Sequence, residues 1–289
     1  MRGMPTGWLI YNQIDAEKNK AYIDWFIEEA QLQQLSLVLV LREELTIGIK
    51  NNRRIITIKN MPVSPPQFAI VRTIEPLLNL HLEACGSNVF NSAHISQICN
   101  NKALTHHYIM DLDIPMVDTL YFKKADIQAS QAPMPFPFVI KEVAGRGGNE
   151  VYFIKETADW TQCIETVSTD IIAQSVKVKH GKDLRVFVVG KDIIAAVLRE
   201  NPADFRANFM LGGSARIYEL NEKERFTIEK IVNHFDFGMV GIDFLIALNG
   251  ELLFNEIEDI VGSRTLSTLS DTNIVRAYVT HIKKVLVSN

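Results

Sequence analysis

Short apolar segments alternate with amphipathic ones through the first 90 residues. Tyr22, Phe26 and Ala30 recur at four-residue spacing, which predicts a helix with one apolar face. Residues 35–41 are almost entirely apolar, as is typical of a strand buried in a parallel sheet. The elements predicted here are strands at 8–12, 35–41 and 68–72 and helices over 19–34 and 74–83. This alternation predicts a doubly wound, Rossmann-like α/β unit over residues 1–90.

The rest of the chain is predicted to form two α+β blocks, residues 91–175 and 176–289, with a cleft between them. The second block is predicted to contain helices over 92–100, 102–112 and 158–167 and strands at 117–122, 138–142, 149–154 and 171–176. The third is predicted to contain hairpins over 183–199 and 239–257 and helices over 222–234 and 271–287. The later hairpin turns at Asn249-Gly250, a dipeptide typical of tight hairpin turns.

Charge and hydropathy limit the classes of function. With 30 Lys and Arg against 34 Asp and Glu, the formal net charge is −4, which argues against a wholly basic nucleic-acid-binding surface. No apolar stretch approaches the roughly 20 residues that span a bilayer, and the first residues lack the apolar segment of a secretion signal. Cys85, Cys99 and Cys163 lie too far apart to indicate a disulfide framework or a thiolate zinc site. We therefore expect a cytoplasmic protein with no membrane or nucleic-acid partner, and a homo-oligomer is left open.

A lysine precedes a glycine-rich run in the second block. Lys141 ends the apolar segment that begins at Phe138, four residues before the run from Gly145 to Gly148. This order can place an ammonium beside backbone N–H groups that closely approach a phosphate. The alternative is a flexible hairpin loop with a solvated lysine, because isolated glycine-rich motifs are weak signals.

Three acidic residues fall on the last predicted hairpin. The turn brings Asp243 beside Glu256, and the period of two places Glu258 on the same face as Glu256. Carboxylates that converge among apolar neighbours repel one another, and a divalent cation with oxygen ligands, usually Mg²⁺ where phosphates complete its shell, relieves the repulsion. The alternative is an acidic, solvated sheet edge.

The earlier hairpin of this block carries a third group of candidates. Alternation places Asp183 and Arg185 on one face of a strand, and Arg199 lies at the end of the strand that follows. A guanidinium there can hold a phosphate or a carboxylate through two parallel hydrogen bonds. Each arginine taken alone is also explained as a surface residue. The two arginines, the glycine loop and the three acids together indicate a magnesium–nucleotide site.

The histidines form no recognisable metal or catalytic motif. His106 and His107 are adjacent, so their side chains do not share a helix face, and surface placement is expected for both. No motif for a covalent nucleophile is present either.

The order of these motifs resembles the ATP-grasp superfamily, in particular the RimK-like carboxylate–amine ligases. The similarity covers residues 91–262, and the first 90 residues match at the level of the fold. The resemblance implies an N-terminal Rossmann-like pre-ATP-grasp domain over 1–90, a small lid subdomain over 91–175 and a catalytic subdomain over 176–289.

The resemblance also implies roles for individual residues. Lys102 and Lys141 would be the two phosphate lysines. The mobile loop over the triphosphate corresponds to Gly145, Arg146, Gly147 and Gly148, and the strand whose backbone reads adenine corresponds to Gln174, Ser175 and Val176. Asp183 falls at the ribose position. Arg185 ends the same segment and is an expected nucleotide-binding residue, while Arg199 and Asn208 fall in segments near the phosphates and the activated carboxylate. The metal ligands would be Asp243, Glu256 and Glu258.

The chain departs from the family pattern after Glu256. Many relatives have Glu-x-Asn followed by a Ser-Pro-Gly-like turn, whereas this chain has Glu258 in place of the asparagine and continues Asp-Ile-Val-Gly262. A glutamate keeps an oxygen ligand for the metal. The altered turn lies where the acid or the acceptor binds, so the substrates are left open.

The activity implied by the resemblance is ATP-dependent ligation of a carboxylate to an amine. Its cofactors are ATP and Mg²⁺, with Mn²⁺ as an alternative metal, and its partners are small carboxylate and amine substrates such as glutamate, another amino acid or a peptide. A carboxylate attacks the γ-phosphoryl group to give an acyl phosphate, and Lys141 offsets charge on the triphosphate. An amine then attacks the acyl carbon while Arg199 stabilises the oxyanion. A kinase-like phosphoryl transferase and a nucleotide-binding regulator without ligase activity are the alternatives.

Overall fold

The computed structural model describes residues 3–128, 131–145, 150–207 and 213–288. Its N-terminal part is a parallel sheet flanked by helices, with a small antiparallel sheet attached. The elements in chain order are β1 (Thr6–Tyr11), α1 (Gln13–Lys18), α2 (Lys20–Leu32), β2 (Ser36–Leu41), β3 (Leu45–Lys50), β4 (Arg53–Ile58), β5 (Met61–Pro62), β6 (Phe68–Val71), α3 (Pro76–Ala84) and β7 (Asn88–Phe90). The parallel sheet has the order β2-β1-β6-β7, and the antiparallel sheet has the order β3-β4-β5. The predicted parallel α/β unit is therefore present, while α1, β7 and the antiparallel sheet were missed.

One expectation for this unit was wrong. The strand β2 was expected to be buried, but it forms the edge of the parallel sheet, where Val38 is 50% and Leu39 is 40% exposed. Successive residues of a strand point to opposite faces, so both faces are incompletely covered at this edge.

The middle of the chain forms a four-stranded antiparallel sheet with three helices. Its elements are α4 (Ala93–Cys99), α5 (Lys102–Met110), β8 (Thr119–Phe122), β9 (Phe138–Glu142), β10 (Val151–Ile154), α6 (Thr157–Thr166) and β11 (Ile171–Ser175). The strand order is β10-β9-β11-β8. Trp160 on α6 packs against Phe138 on β9, with ring centroids 6.0 Å apart, and fixes this helix beneath the sheet. We name this unit the lid sheet.

The last part of the chain forms a five-stranded antiparallel sheet. Its elements are β12 (Val178–Val189), β13 (Asp192–Glu200), β14 (Ser214–Ile217), α7 (Glu222–His234), β15 (Met239–Ala247), β16 (Leu252–Glu258), α8 (Arg264–Leu269) and α9 (Ile274–Ser288). The order is β14-β13-β12-β15-β16, and we name it the catalytic sheet. Both predicted hairpins are present, whereas β14 and α8 were missed.

The C-terminal helix joins the catalytic sheet to the N-terminal part. Tyr278 and Ile282 on one face of α9 are buried in a core that also contains Phe26 of α2, Leu9 of β1 and Phe187 of β12. This apolar face spans about a third of the helix circumference, as expected for a helix that packs on one side. The three-domain division at residues 90 and 175 stays a prediction. Among the described residues, no helix is both long and apolar enough to cross a membrane.

Candidate active site

A cleft of about 310 Å³ lies between the lid sheet and the catalytic sheet. Such a volume is within the range of small-molecule sites. One end is apolar, and the other carries charged side chains. The apolar end is lined by Val139, Val151, Phe153, Val176, Val178, Phe205 and Leu245. The rings of Phe153 and Phe205 pack against each other there, with centroids 5.2 Å apart, and form an apolar wall against which a flat group can lie.

The charged end is built on one face of the catalytic sheet. Asp243 on β15 is directly opposite Glu256 on β16, as the hairpin pattern predicts. Oxygen atoms of Asp243, Glu256 and Glu258 all lie within 4.8 Å of one another. A hard divalent cation takes carboxylate oxygens at this kind of convergence, so the donor set fits Mg²⁺ or Mn²⁺.

Arginines from neighbouring strands neutralise these acids. Arg185 is directly opposite Asp243 in the β12–β15 register and donates to both of its carboxylate oxygens, at 2.7 and 2.6 Å. The same guanidinium lies 2.7 Å from Glu258. From the sequence, a metal alone was expected to offset the repulsion among the acids. The neutralisation of the acids by Arg185 was missed. The signal was the cross-strand register, which a single sequence does not give directly.

A second arginine extends the network. Arg199 is opposite Asp183 in the β12–β13 register and donates to both of its carboxylate oxygens, at 2.6 and 2.8 Å. It also donates to Asp243 at 2.9 Å. Burial works to raise the pKa of Asp243, but Arg185 and Arg199 outweigh it and hold that pKa well below its usual range. Asp243 is therefore a carboxylate at any physiological pH.

Two lysines reach the site from outside the catalytic sheet. Lys102, the first residue of α5, pairs with Glu256 at 3.1 Å and donates to the Gly145 carbonyl at 2.5 Å. Lys141 on the lid sheet donates to Asn255 Oδ1 on β16 at 2.6 Å. The pKa of Lys141 is lowered to about 8, mainly by burial; the charge of Glu256 opposes this lowering and the positive charge of Lys102 adds to it. Both ammonium groups therefore face the space above the three acids.

The remaining predicted residues fall into two groups. Gly145, Gln174, Ser175, Val176 and Asp183 line the cleft. Arg146, Gly147, Gly148 and Asn208 lie outside the described residues. Both oxygens of Asp183 accept a hydrogen bond from Arg199, and each keeps a further lone pair for another donor, so its role at the ribose stays a prediction.

His106 is a residue that the sequence reasoning misplaced. It was expected at the surface, but it is 1% exposed and packs against Phe254 with ring centroids 5.5 Å apart, whereas His107 is exposed. Burial lowers the pKa of His106 to about 4, so the ring is neutral at pH 7. Its Nδ1 lies 2.6 Å from the Lys102 carbonyl and so carries the proton, which leaves Nε2 to accept from Gln174 at 3.2 Å.

Gln174 therefore has a fixed orientation. Its amide nitrogen donates to His106 and to Thr119 Oγ1 at 3.0 Å, so its Oε1 lies on the opposite side of the amide. Buried Oε1 has no hydrogen-bond partner among the described residues. Gln174 is one of the residues that line the cleft, so an unpaired acceptor lies within the cleft wall.

Comparison with known proteins shows which family and which proteins this chain is similar to. A family profile described as the RimK-like ATP-grasp domain matches residues 99–282. The glutamate–LysW ligase ArgX of Sulfurisphaera tokodaii is 26% identical over 230 residues, which cover 75% of this chain and 81% of the relative. Human beta-citrylglutamate synthase B is 25% identical over 241 residues, covering 78% of this chain and 61% of that protein.

A solved structure shows a similar fold along the whole chain. The D-alanyl-alanine synthetase A of Vibrio cholerae superposes with a TM-score of 0.76, covering 99% of this chain and 100% of that one, at 15% sequence identity. At this identity the likeness concerns the fold.

Proposed function

Because the chain belongs to the RimK-like ATP-grasp family and is an ATP-dependent, ADP-forming carboxylate–amine ligase, we propose that it joins an amino acid to a carboxylic acid in the cleft described above. The family and the ATP-grasp fold expected from the motif order are confirmed. The observation that carries the proposal is the convergence of Asp243, Glu256 and Glu258 beneath the ammonium groups of Lys102 and Lys141.

The nucleotide would lie with its base in the apolar slot and its triphosphate at the charged end. Gln174 Oε1 would accept from the exocyclic amine of adenine, and the neighbouring backbone of Ser175 and Val176 would border the base. Lys102 and Lys141 would contact the phosphates, where their charges oppose the charge of the triphosphate. The loop that begins at Gly145 and includes residues 146–148 would cover them.

The three acids would hold the metal. Asp243, Glu256 and Glu258 would bind Mg²⁺, with Mn²⁺ as a substitute, and the bound ion would neutralise the triphosphate for attack on its γ-phosphorus. Arg185 holds Asp243 in place through a bidentate contact and Arg199 adds a single hydrogen bond, so the Asp243 oxygens keep a defined direction.

The reaction then has two steps. An oxygen of the substrate carboxylate attacks the γ-phosphorus, the bond to the β-phosphate oxygen breaks, and ADP and an acyl phosphate result. The amine nitrogen next attacks the acyl carbon, phosphate leaves, and the nitrogen loses a proton. Arg199 would stabilise the oxyanion of this second step, which requires one of its two carboxylate partners to give way.

The substrates and the compartment are proposed on separate grounds. Two relatives carry glutamate in their names, so we propose an amino acid, with glutamate first, as the acid or the amine. A cytoplasmic location is supported by the three cysteines, which are free thiols as expected in a reducing compartment.

The test measures ADP release over a panel of acids and amines with wild type, Glu256→Gln and the control Glu251→Gln. Glu251 lies at the far end of the same hairpin and pairs with Lys223, so its substitution should leave turnover unchanged. We expect ADP release only when an acid and an amine are both present, and a loss of at least 100-fold in Glu256→Gln. ADP release from one substrate without an amine would indicate a kinase-like enzyme, and nucleotide binding without turnover would indicate a regulator.

A further inference from the structure

Arg72 is a buried cation without an acidic partner. It follows β6 directly and is 8% exposed. Its Nη2 donates to the Val261 carbonyl at 2.9 Å, while its buried Nε has no hydrogen-bond partner. Among the described residues, no acidic side chain lies within ion-pair distance of it. Arg185 and Arg199, the buried arginines of the nucleotide end, each contact two carboxylates. A buried guanidinium that lacks such a partner is costly unless a ligand supplies one.

Two tyrosine rings flank this guanidinium. The Arg72 carbon Cζ lies 6.0 Å from the ring centroid of Tyr11 and 5.8 Å from that of Tyr22. Both tyrosine hydroxyls are buried without a hydrogen-bond partner, as are the hydroxyls of Thr73 and Ser263. Eight such buried side-chain atoms are found among the described residues, and five of them belong to these residues. The concentration at one place indicates a polar site rather than scattered packing defects.

Ser263 belongs to the same group. Burial raises the pKa of Tyr22, while Arg72 and then the Ser263 hydroxyl act to lower it, which places that hydroxyl beside the phenol. Neither oxygen has a hydrogen-bond partner of good geometry among the described residues.

The topology of the parallel sheet favours a ligand at this position. β1 pairs with β2 on one side and with β6 on the other, so the chain leaves β1 and β6 in opposite directions. Open α/β sheets bind ligands in the crevice at the carboxyl ends of strands at such a switch point. Tyr11 is the last residue of β1 and Arg72 follows the last residue of β6, so both lie at this crevice.

The crevice adjoins the charged end of the cleft. Val261, whose carbonyl Arg72 binds, comes three residues after Glu258, and Ile260 between them lines the cleft. A Cβ placed on Gly241 would lie 2.7 Å from Val261 Cγ2 and 3.6 Å from Arg185 Cδ. Val261 therefore packs against the same strand position as Arg185, beside the metal-site acids.

We propose that Arg72, with the hydroxyls of Tyr11, Tyr22 and Ser263, binds a carboxylate of the amino-acid substrate that is not itself activated. The inference rests on the proposed function and assigns a substrate class to it. A planar guanidinium flanked by hydroxyl donors matches a carboxylate in charge and shape. The substrate would thereby be an amino acid or dicarboxylate, held by one carboxylate while another group reacts next to Glu258.

The test measures binding of L-glutamate, succinate, acetate and L-glutamine amide, which has no carboxylate, by thermal shift with ADP and Mg²⁺ present. The variants are Arg72→Gln, Arg72→Lys and Tyr22→Phe, and the control is Arg54→Gln, an exposed arginine on the small antiparallel sheet. We expect wild type and the control to respond to L-glutamate or succinate and not to the amide. Arg72→Gln should need at least a tenfold higher carboxylate concentration for the same thermal shift, and Arg72→Lys should recover part of the shift. Tyr22→Phe should raise the carboxylate concentration needed two- to fivefold. The response to ADP should be the same in all of them.

Two outcomes would overturn the subsite. The first is a thermal shift with carboxylates in Arg72→Gln that equals that of wild type. The second is no thermal shift of wild type with any carboxylate, which would mean that water alone satisfies these atoms. Tyr22→Phe removes one oxygen and keeps the test valid if Arg72→Gln fails to fold. Failure of the proposed ligase would look different: carboxylate binding would depend on Arg72, but no pair of acid and amine would release ADP.

Discussion

Lys141→Met separates what Lys141 does for the nucleotide from what it does to the fold. The ammonium is enclosed between the lid sheet and β16, and its pKa is lowered by burial from 10.5 to about 8. Below pH 8 the folded protein therefore holds a charge in a setting that disfavours it. Methionine has a similar length and no charge, so we expect the ligand-free variant to be more stable than wild type and to bind ATP poorly.

The magnitude follows from the pKa. A tenfold change in ionisation is worth about 1.4 kcal/mol, so a lowering from 10.5 to about 8 disfavours the charged form by about 3 kcal/mol. The attraction of Glu256 for the ammonium is already contained in this pKa. The substitution also removes the donor from Asn255 Oδ1, which costs about 1 kcal/mol. We expect a net gain of about 1–2 kcal/mol in the free energy of unfolding at pH 7.

The gain should depend on pH with a defined sign. Below pH 8 the lysine is protonated in both the folded and the unfolded state. The free energy of unfolding of wild type is then lowest relative to that of Lys141→Met. Between pH 8 and 10.5 the unfolded state binds more protons, so wild-type stability rises with pH and the difference from Lys141→Met shrinks. Urea unfolding at pH 7, 8.5 and 10 measures this difference, provided that the slope of the transition is unchanged.

The control is Lys155→Met, an exposed lysine just after β10, which should change stability by no more than about 0.5 kcal/mol. ATP affinity of Lys141→Met, measured by calorimetry, should fall about 10- to 100-fold through the loss of a charge-assisted phosphate contact. If Lys141→Met is less stable than Lys155→Met at pH 7, or its advantage is constant with pH, the reasoning from burial is refuted.

Two further predictions concern the rigidity of the catalytic sheet. Asp243→Asn should lower the free energy of unfolding by about 3–5 kcal/mol, because Arg185 and Arg199 remain buried without their shared carboxylate. Urea unfolding measures this loss, and a loss below about 1 kcal/mol would contradict the prediction. Gly181→Ala should destabilise the protein by more than about 3 kcal/mol in the same assay, because φ is +62° and the new Cβ would lie 2.0 Å from a facing carbonyl oxygen. Gly250→Ala has a φ of +93° but no atom within 4 Å, so it should cost only about 1 kcal/mol, and equal losses at the two positions would show that the close approach does not matter.

Elements set by local pattern were predictable from the sequence. The hairpin of β15 and β16 follows from apolar strands and the turn at Asn249-Gly250, and it brought Asp243 opposite Glu256 as expected. The helix α7 begins after a capping residue, Asn221, whose side chain accepts from the Glu224 backbone, and its predicted bounds are those observed. In these cases neighbours in sequence decide the structure.

Features set by contacts between distant segments were not predictable in this way. The burial of His106 depends on Phe254 and Gln174, which come from two other elements. The pairing of Arg185 with Asp243 depends on the register of β12 against β15, which includes a bulge. Arg72 looked like an ordinary strand end, because the groups around it come from β1, α2 and the segment after β16. Composition and periodicity carry no information on which distant segments meet.

This division separates the proposed nucleotide end of the site from the proposed substrate end. The acids and arginines of the nucleotide end lie at fixed cross-strand positions of one sheet, so the same register reproduces them in any chain that keeps the sheet. The group around Arg72 depends instead on how strand ends of the parallel sheet meet the turn after Glu258. A change of a few residues in that turn can alter the substrate without disturbing ATP binding. Substitutions at Arg72 and its neighbours should therefore change the choice of acid or amine first, and substitutions among the sheet's ion pairs should abolish turnover with every substrate.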